Sequence, residues 1–334
     1  IPTISWQQFQ GDYLQKDKFV ITVAGAYGKS TTTSMIAKIL IDAGLDPTCE
    51  VGAEVLEWQN NFRIGKSRYY ICESDEYNNN FLNYHPDIAV VLNVDWDHPD
   101  FFKTQESVSD SFKKFILNIK PGGILIIPDN LLELKNIRDD IKIYIVGDFS
   151  PYNLSIIGDF RSDNANASLT VAKSLKIDLK KAKEAVESFK GAGRRLEYKG
   201  EIQRVKFYDD YAVQPYTVKT TANALAKKYK NKKVCLVFEP HTFSRINTFF
   251  SDFVSALKNL DVDQILITQV YPAREKGDKE ALARKLAKEV GSKATYSGTI
   301  LQTADYIKNN IADFEIIFSM GAGDSYKLFD LLNR

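Results

Sequence analysis

A chain of 334 residues, 44% of them apolar, can bury a large core and is longer than most single domains, so two domains are expected. The formal charge of +1 gives no electrostatic case for nucleic acid or for an anionic membrane. No apolar run approaches the roughly 20 residues that span a bilayer and no signal peptide opens the sequence, so a cytoplasmic protein without a membrane partner is expected. Cys49, Cys72 and Cys235 lie far apart in or near apolar runs, which reads as buried free thiols in a reducing compartment. The sequence starts at Ile1 without an initiator Met, as expected of a processed chain or a piece of a longer one.

In chain order, a short amphipathic stretch from Trp6 to Leu14 and a charged turn lead into FVITVAGAYGKSTTTSMIAKIL, residues 19–40. Val20, Ile21 and Val23 predict a buried strand, and Met35, Ile36, Ile39 and Leu40 recur at helical spacing. Between them lies the glycine turn Gly25-Ala26-Tyr27-Gly28. Such a turn aims unpaired backbone N–H groups and a helix dipole at one point, where an anion can sit. Lys29 adds a charge for outer phosphates with no evident core role, and Ser30 offers Mg²⁺ a hydroxyl, with Thr31, Thr32 and Thr33 following. The full pattern GxxxxGK[ST] would need glycine where Val23 stands, so the strand–turn–helix context carries the reading of a nucleoside triphosphate site.

Ala43 to Pro47 stop the helix, and short strands follow at Tyr69–Cys72 and Ile88–Leu92, each ending in polar residues. Ligands gather at the carboxyl ends of parallel strands, so three strand ends are expected around one site. Ser107–Ile119 predicts a helix, 123–127 and 141–146 strands, and 164–175 and 179–189 helices. Lys190-Gly191-Ala192-Gly193 interrupts the periodicity, dividing the chain into residues 1–190 and 191–334. Beyond it, strands at 205–208, 234–238, 264–268 and 315–318 alternate with helices near 217–229, 247–259 and 278–290, a second α/β domain. The lysines from Lys227 to Lys233 read as a solvated helix end.

Glu73 ends one strand and His98 follows another, and a carboxylate with an imidazole near a triphosphate can form a divalent-metal shell. The same residues also suit a solvated loop and a capping or core histidine. In the second half, Arg194-Arg195, Asp209-Asp210-Tyr211, Glu239-Pro240-His241 with Arg245, and 320–324 lie at strand ends or boundaries and together suggest a second ligand-facing rim.

These residues resemble those of the Mur ligases, the ATP-dependent amide-forming enzymes of peptidoglycan precursor synthesis, and of their alanine-adding branch most of all. GAYGKSTTT is similar to GTxGKTTTT, and residues 73–102 are similar to the region containing EADESD and TNI..DH.D. GRRLE, YDDYA, FEPHTFSR, QVYPAREK and MGAGD follow in the family's order. The resemblance implies a central P-loop ATPase-type domain with a mostly parallel sheet and a C-terminal Rossmann-like α/β domain. Carried over by position, it implies that the turn from Gly25 to Gly28 with Lys29, Ser30 and Thr31 binds ATP, and that Ser30, Glu73 and His98 hold Mg²⁺. It implies Asn164 near adenine, Arg195 on the γ-phosphate, Asp210 on the ribose, and His241 and Arg245 near the amino acid.

The implied reaction forms an acyl phosphate on a UDP-sugar acid, which an amino acid's amine then displaces. The family's N-terminal UDP-binding domain would end about where Ile1 begins, so a fragment, or a chain that has lost that domain, is expected, and Val213-Gln214 stand where the family has two histidines. A non-catalytic or partner-dependent nucleotide-binding subunit is the alternative expectation.

Overall fold

A computed structural model describes residues 3–334, so Ile1 and Pro2 lie outside the description. The chain divides into one unit of residues up to 156 plus 160–193, and a second of residues 157–159 plus 194–334.

The first unit contains β1 (Phe19–Ala24), β2 (Thr48–Val55), β3 (Asn60–Arg63), β4 (Tyr69–Ser74), β5 (Ile88–Val91), β6 (Ile124–Ile127) and β7 (Lys142–Ile145). Its helices are α1 (Trp6–Phe9), α2 (Lys29–Asp42), α3 (Gln105–Leu117), α4 (Arg161–Ser174) and α5 (Leu179–Glu187). The sheet order is β3-β2-β4-β1-β5-β6-β7, parallel except for the β2–β3 pair. Successive side chains of a strand face opposite ways, so Ile21 and Val23 pack with Met35, Ile36, Ile39 and Leu40 of α2, while Val20 and Ala24 pack on the other face with Phe81, Phe112 and Phe115. Both faces are covered, which is why β1 and β5 read as continuous apolar runs. Phe81 stacks on Phe115 and meets Phe112 edge-on; burying each ring contributes about 2–3 kcal/mol.

The second unit contains β8 (Arg195–Ile202), β9 (Val205–Asp210), β10 (Val234–Phe238), β11 (Gln264–Thr268), β12 (Ala294–Gly298) and β13 (Ile316–Met320). With them run α6 (Pro215–Lys228), α7 (Phe243–Thr248), α8 (Phe250–Lys258), α9 (Lys279–Val290), α10 (Ile300–Asn310) and α11 (Leu328–Leu332). The sheet order is β12-β11-β10-β13-β9-β8, parallel except for β8–β9. The α/β class with two mostly parallel sheets is thus as expected.

Several details differ from the sequence reading. The expected helix at 247–259 is split at Phe249, whose ψ of 29° ends α7 before α8 begins. Strands β2, β3, β8 and β12 were not expected, because polar residues interrupt any apolar run in them, and β3, β8 and β12 also lie at sheet edges. The stretch from Trp6 to Leu14 is turned inside out: Gln10 is buried while Trp6, Phe9 and Tyr13 face solvent. Gly191 to Gly193 are strapped to β2, with Leu56 N–H donating to the Gly191 carbonyl and Gly193 N–H to that of Glu54. Cys49, Cys72 and Cys235 are buried and unpaired. Among the described residues, no helix is long and apolar enough to cross a membrane.

Candidate active site

The glycine turn from Gly25 to Gly28 is held from three sides. Gly28, at φ 88°, caps α2 in a conformation that a side chain disfavours, and a Cβ there would lie 2.7 Å from Asn164 Nδ2 and 3.0 Å from Leu92 Cδ1. After β5, Asn93 grips Tyr27 twice, its Oδ1 accepting the Tyr27 N–H (3.2 Å) and its Nδ2 donating to the Tyr27 carbonyl (3.0 Å). From α4, Arg161 Nη1 donates to Thr31 Oγ1 (2.8 Å) and Asn164 Nδ2 to Thr32 Oγ1 (3.1 Å). Hydroxyls in the first turn of α2 are therefore anchors between helices, and Ser30 itself is buried. Asn164, expected near adenine, stands directly above Gly28.

Lys29 Nζ donates to the Gly25 carbonyl (2.7 Å) and to Glu76 Oε2 (2.8 Å), with Asp75 Oδ1 at 3.7 Å. Burial alone would depress the Lys29 pKa, but the carboxylates of Glu76, Asp75 and Glu73 outweigh it and hold the ammonium well above its usual range. Glu76 is 2% exposed, and burial raises its carboxyl against the pull of Lys29. Its Oε1 has no hydrogen-bond partner and lies 3.8 Å from His98 Nε2. His98, at φ 53°, packs against the Tyr77 ring (centroids 4.7 Å apart), and Tyr77 Oη donates to Asp100 (3.0 Å).

Potential ligand atoms of Asp75, Glu76 and His98 all lie within 4.8 Å of one another. Glu73, the carboxylate singled out in the sequence for this shell, instead accepts the Gly52 N–H at 2.5 Å. The reason is the chain's course: Glu73 is within β4 and its side chain is held beside β2, whereas Glu76 comes two residues after the strand ends. Glu76, Asp75, Asn93 and Arg161 were not picked out for the site from sequence. For Glu76 a signal existed, as the fourth residue of the polar run that closes β4.

In the second unit the expected rim residues adjoin one another. Arg194 Nε pairs with Asp209 Oδ2 (2.8 Å) and its Nη2 donates to the Gly321 carbonyl (2.5 Å) and to Ser325 Oγ (3.1 Å). Arg195 lies with its guanidinium 4.9 Å from the Tyr211 ring centroid. Asp210 accepts the N–H groups of Leu196 and Ala212, both at 2.7 Å. His241 Nδ1 is 2.8 Å from Arg245 Nη1, and its ring stacks on Tyr271. Gln214 is the N-cap residue of α6, following Val213.

Residues 23–183 match the Mur ligase middle domain, and residues 194–323 match the glutamate ligase domain of Mur ligases. A curated relative, UDP-N-acetylmuramate--L-alanine ligase of Caldanaerobacter subterraneus, is 35% identical over 362 residues, covering 98% of this chain and 78% of the relative. The chain belongs to the Mur ligase family of ATP-dependent ligases. The architecture of this Mur ligase is similar to that of the solved UDP-N-acetylmuramate-alanine ligase MurC of Thermotoga maritima, with TM-score 0.77 and 22% identity over 98% of this chain and 77% of that one. It is similar also to MurF ligase of Thermotoga maritima solved in complex with ADP, with TM-score 0.73 and 17% identity over 99% and 84%.

For the divalent cation that ATP chemistry needs, the donors of this Mur ligase fit. Two carboxylates and an imidazole converge, and one buried carboxylate oxygen, Glu76 Oε1, has no hydrogen-bond partner, a costly state that a cation would relieve.

Proposed function

We propose that this Mur ligase joins an amino acid to a UDP-N-acetylmuramate-like acid through an acyl phosphate, consuming ATP. The observation that carries the reading is the placement of Lys29 at the head of α2 beside the cluster of Glu76, Asp75 and His98. The N–H groups of Gly25 and Ala26 and those from Gly28 to Thr31 would cradle the triphosphate, with Asn93 holding Tyr27 behind them, and Lys29 would move from Glu76 to the outer phosphates. Mg²⁺, held by Ser30, Glu76, His98 and Asp75, would neutralise the charge that builds between β- and γ-phosphates. In the second unit we assign Arg195 to the γ-phosphate, Asp210 to the ribose, and His241 with Arg245 to the incoming amino acid. Two anions must approach during the first step, so these cations are needed to cancel repulsion and hold an in-line geometry.

The test is phosphate release from ATP with each substrate present and absent. The expected outcome is release that requires both UDP-N-acetylmuramate and L-alanine or another amino acid, with a UDP-linked amide as product. Nucleotide binding without release under any pairing would support a non-catalytic subunit and end the ligase reading.

A further inference from the structure

Glu239 is a buried carboxylate with no part in the assignments above. It follows β10, and its side chain occupies a cradle made by the loop after β13: Gly323 N–H (2.9 Å) and Ser325 N–H (3.2 Å) donate to Oε2, and Asp324 N–H (2.9 Å) to Oε1. The cradle is shaped around this group. Gly321 sits at φ 156°, and a Cβ on it would lie 2.7 Å from Glu239 Cβ. A Cβ on Gly323 would lie 2.8 Å from Glu239 Oε2 and 2.2 Å from the Tyr271 ring. The same loop is gripped from the β9 side by Arg194, which donates to the Gly321 carbonyl and to Ser325 Oγ. A cation thus holds the loop's carbonyl while an anion holds its amides. Burial raises the Glu239 carboxyl and the three N–H groups oppose that rise.

Two residues beyond Glu239 the chain reaches His241, and Arg245 follows on α7. Tyr271 N–H donates to the Pro240 carbonyl (2.8 Å), so the strand ends of β10, β11 and β13 meet at this point. We infer that Glu239 is a positioning residue: by filling the cradle from Gly323 to Ser325, its carboxylate fixes the arm carrying His241 and Arg245 to the loop that Arg194 holds beside Arg195. The inference rests on the assignment of His241 and Arg245 to the amino acid for its consequence in turnover, and on geometry alone for the latch.

The isosteric Glu239→Gln keeps the volume but turns an N–H₂ group toward backbone donors, so the latch loses acceptors. The chain has three histidines, His85, His98 and His241, so its imidazole NMR signals report on the arm directly. The expected result is that Glu239→Gln shifts the His241 signals and leaves His85 and His98 in place. The KM for the amino acid then rises about tenfold while the KM for ATP changes less than about twofold. Should Glu239→Gln fold poorly, Glu239→Ala leaves room for acetate, and added sodium acetate, compared with equal chloride, should restore the parent His241 signals. Unmoved His241 signals in a folded variant overturn the inference. So does a rise in both KM values together. If the parent shows no ligation while His241 shifts, the latch stands and the ligase reading falls.

Discussion

Lys29 Nζ and Glu76 Oε2 stand 2.8 Å apart, with Glu76 almost wholly buried, so the lysine proposed for the outer phosphates is also one half of an internal ion pair. That changes the sequence-based view of Lys29 as a residue without a core role. Removing one partner of a buried pair typically costs about 3–5 kcal/mol, because the other is left uncompensated. Lys29→Ala should therefore abolish ATP turnover and lower the urea midpoint, and Lys29→Ala with Glu76→Gln should regain most of the stability but none of the turnover. A single variant as stable as its parent would show that the pair is not coupled in solution.

The cluster around His98 makes the metal prediction specific. Glu76→Gln and His98→Ala should each raise the Mn²⁺ or Mg²⁺ concentration for half-maximal turnover roughly 10- to 100-fold. Glu73→Gln should leave it nearly unchanged, since that carboxylate is engaged with Gly52 N–H. Mn²⁺ binding followed by electron paramagnetic resonance checks this independently of turnover, and a Glu73 variant that loses Mn²⁺ as severely as the Glu76 variant would reverse the assignment.

Gly28 is where backbone and packing act together. Gly28→Ala should destabilise by about 1–3 kcal/mol through its positive φ, with a further penalty from the approach of Asn164. Because the obstructing atom is the end of a side chain, adding Asn164→Ala should return the packing part but not the backbone part. Thermal unfolding of the parent, Gly28→Ala, Asn164→Ala and the double variant separates the two, and full recovery in the double variant would remove the backbone argument.

Glu50 sets a pH dependence. Burial pushes its carboxyl up to about 7, with Glu73 adding to the rise and the Gln10 amide (3.2 Å) opposing it; Tyr70, Tyr84 and Cys72 are the other titratable groups around it. The folded state then holds a proton that the unfolded chain has released, so stability falls as pH rises from about 4.5 to about 7 and is level above that. The loss is on the order of 3 kcal/mol. Glu50→Gln should flatten this slope, melting higher than the parent at pH 8 and about equally at pH 4.5. Parallel stability profiles for the two proteins would show that Glu50 titrates normally.

The sequence alone determined the strand, turn and helix from Phe19 to Asp42, since a β-branched run, two glycines and helical apolar spacing each have one local solution. It also determined the α/β class, because buried parallel strands must be apolar on both faces and so stand out. Edge strands such as β12 escaped it: Ala294 and Tyr296 pack on the core, but with Thr295, Ser297 and Gly298 between and after them they make no apolar run. Which carboxylate meets Lys29 was decided only by tertiary structure: Glu73, Asp75 and Glu76 are equivalent letters in a polar run, and only the side-chain alternation of β4 and the turn after it put Glu76 inside. The same holds for Asn93 and Arg161, each more than 60 positions from the loop it grips. Contacts across such distances are set by how strands and helices pack, and no local pattern in the chain encodes them.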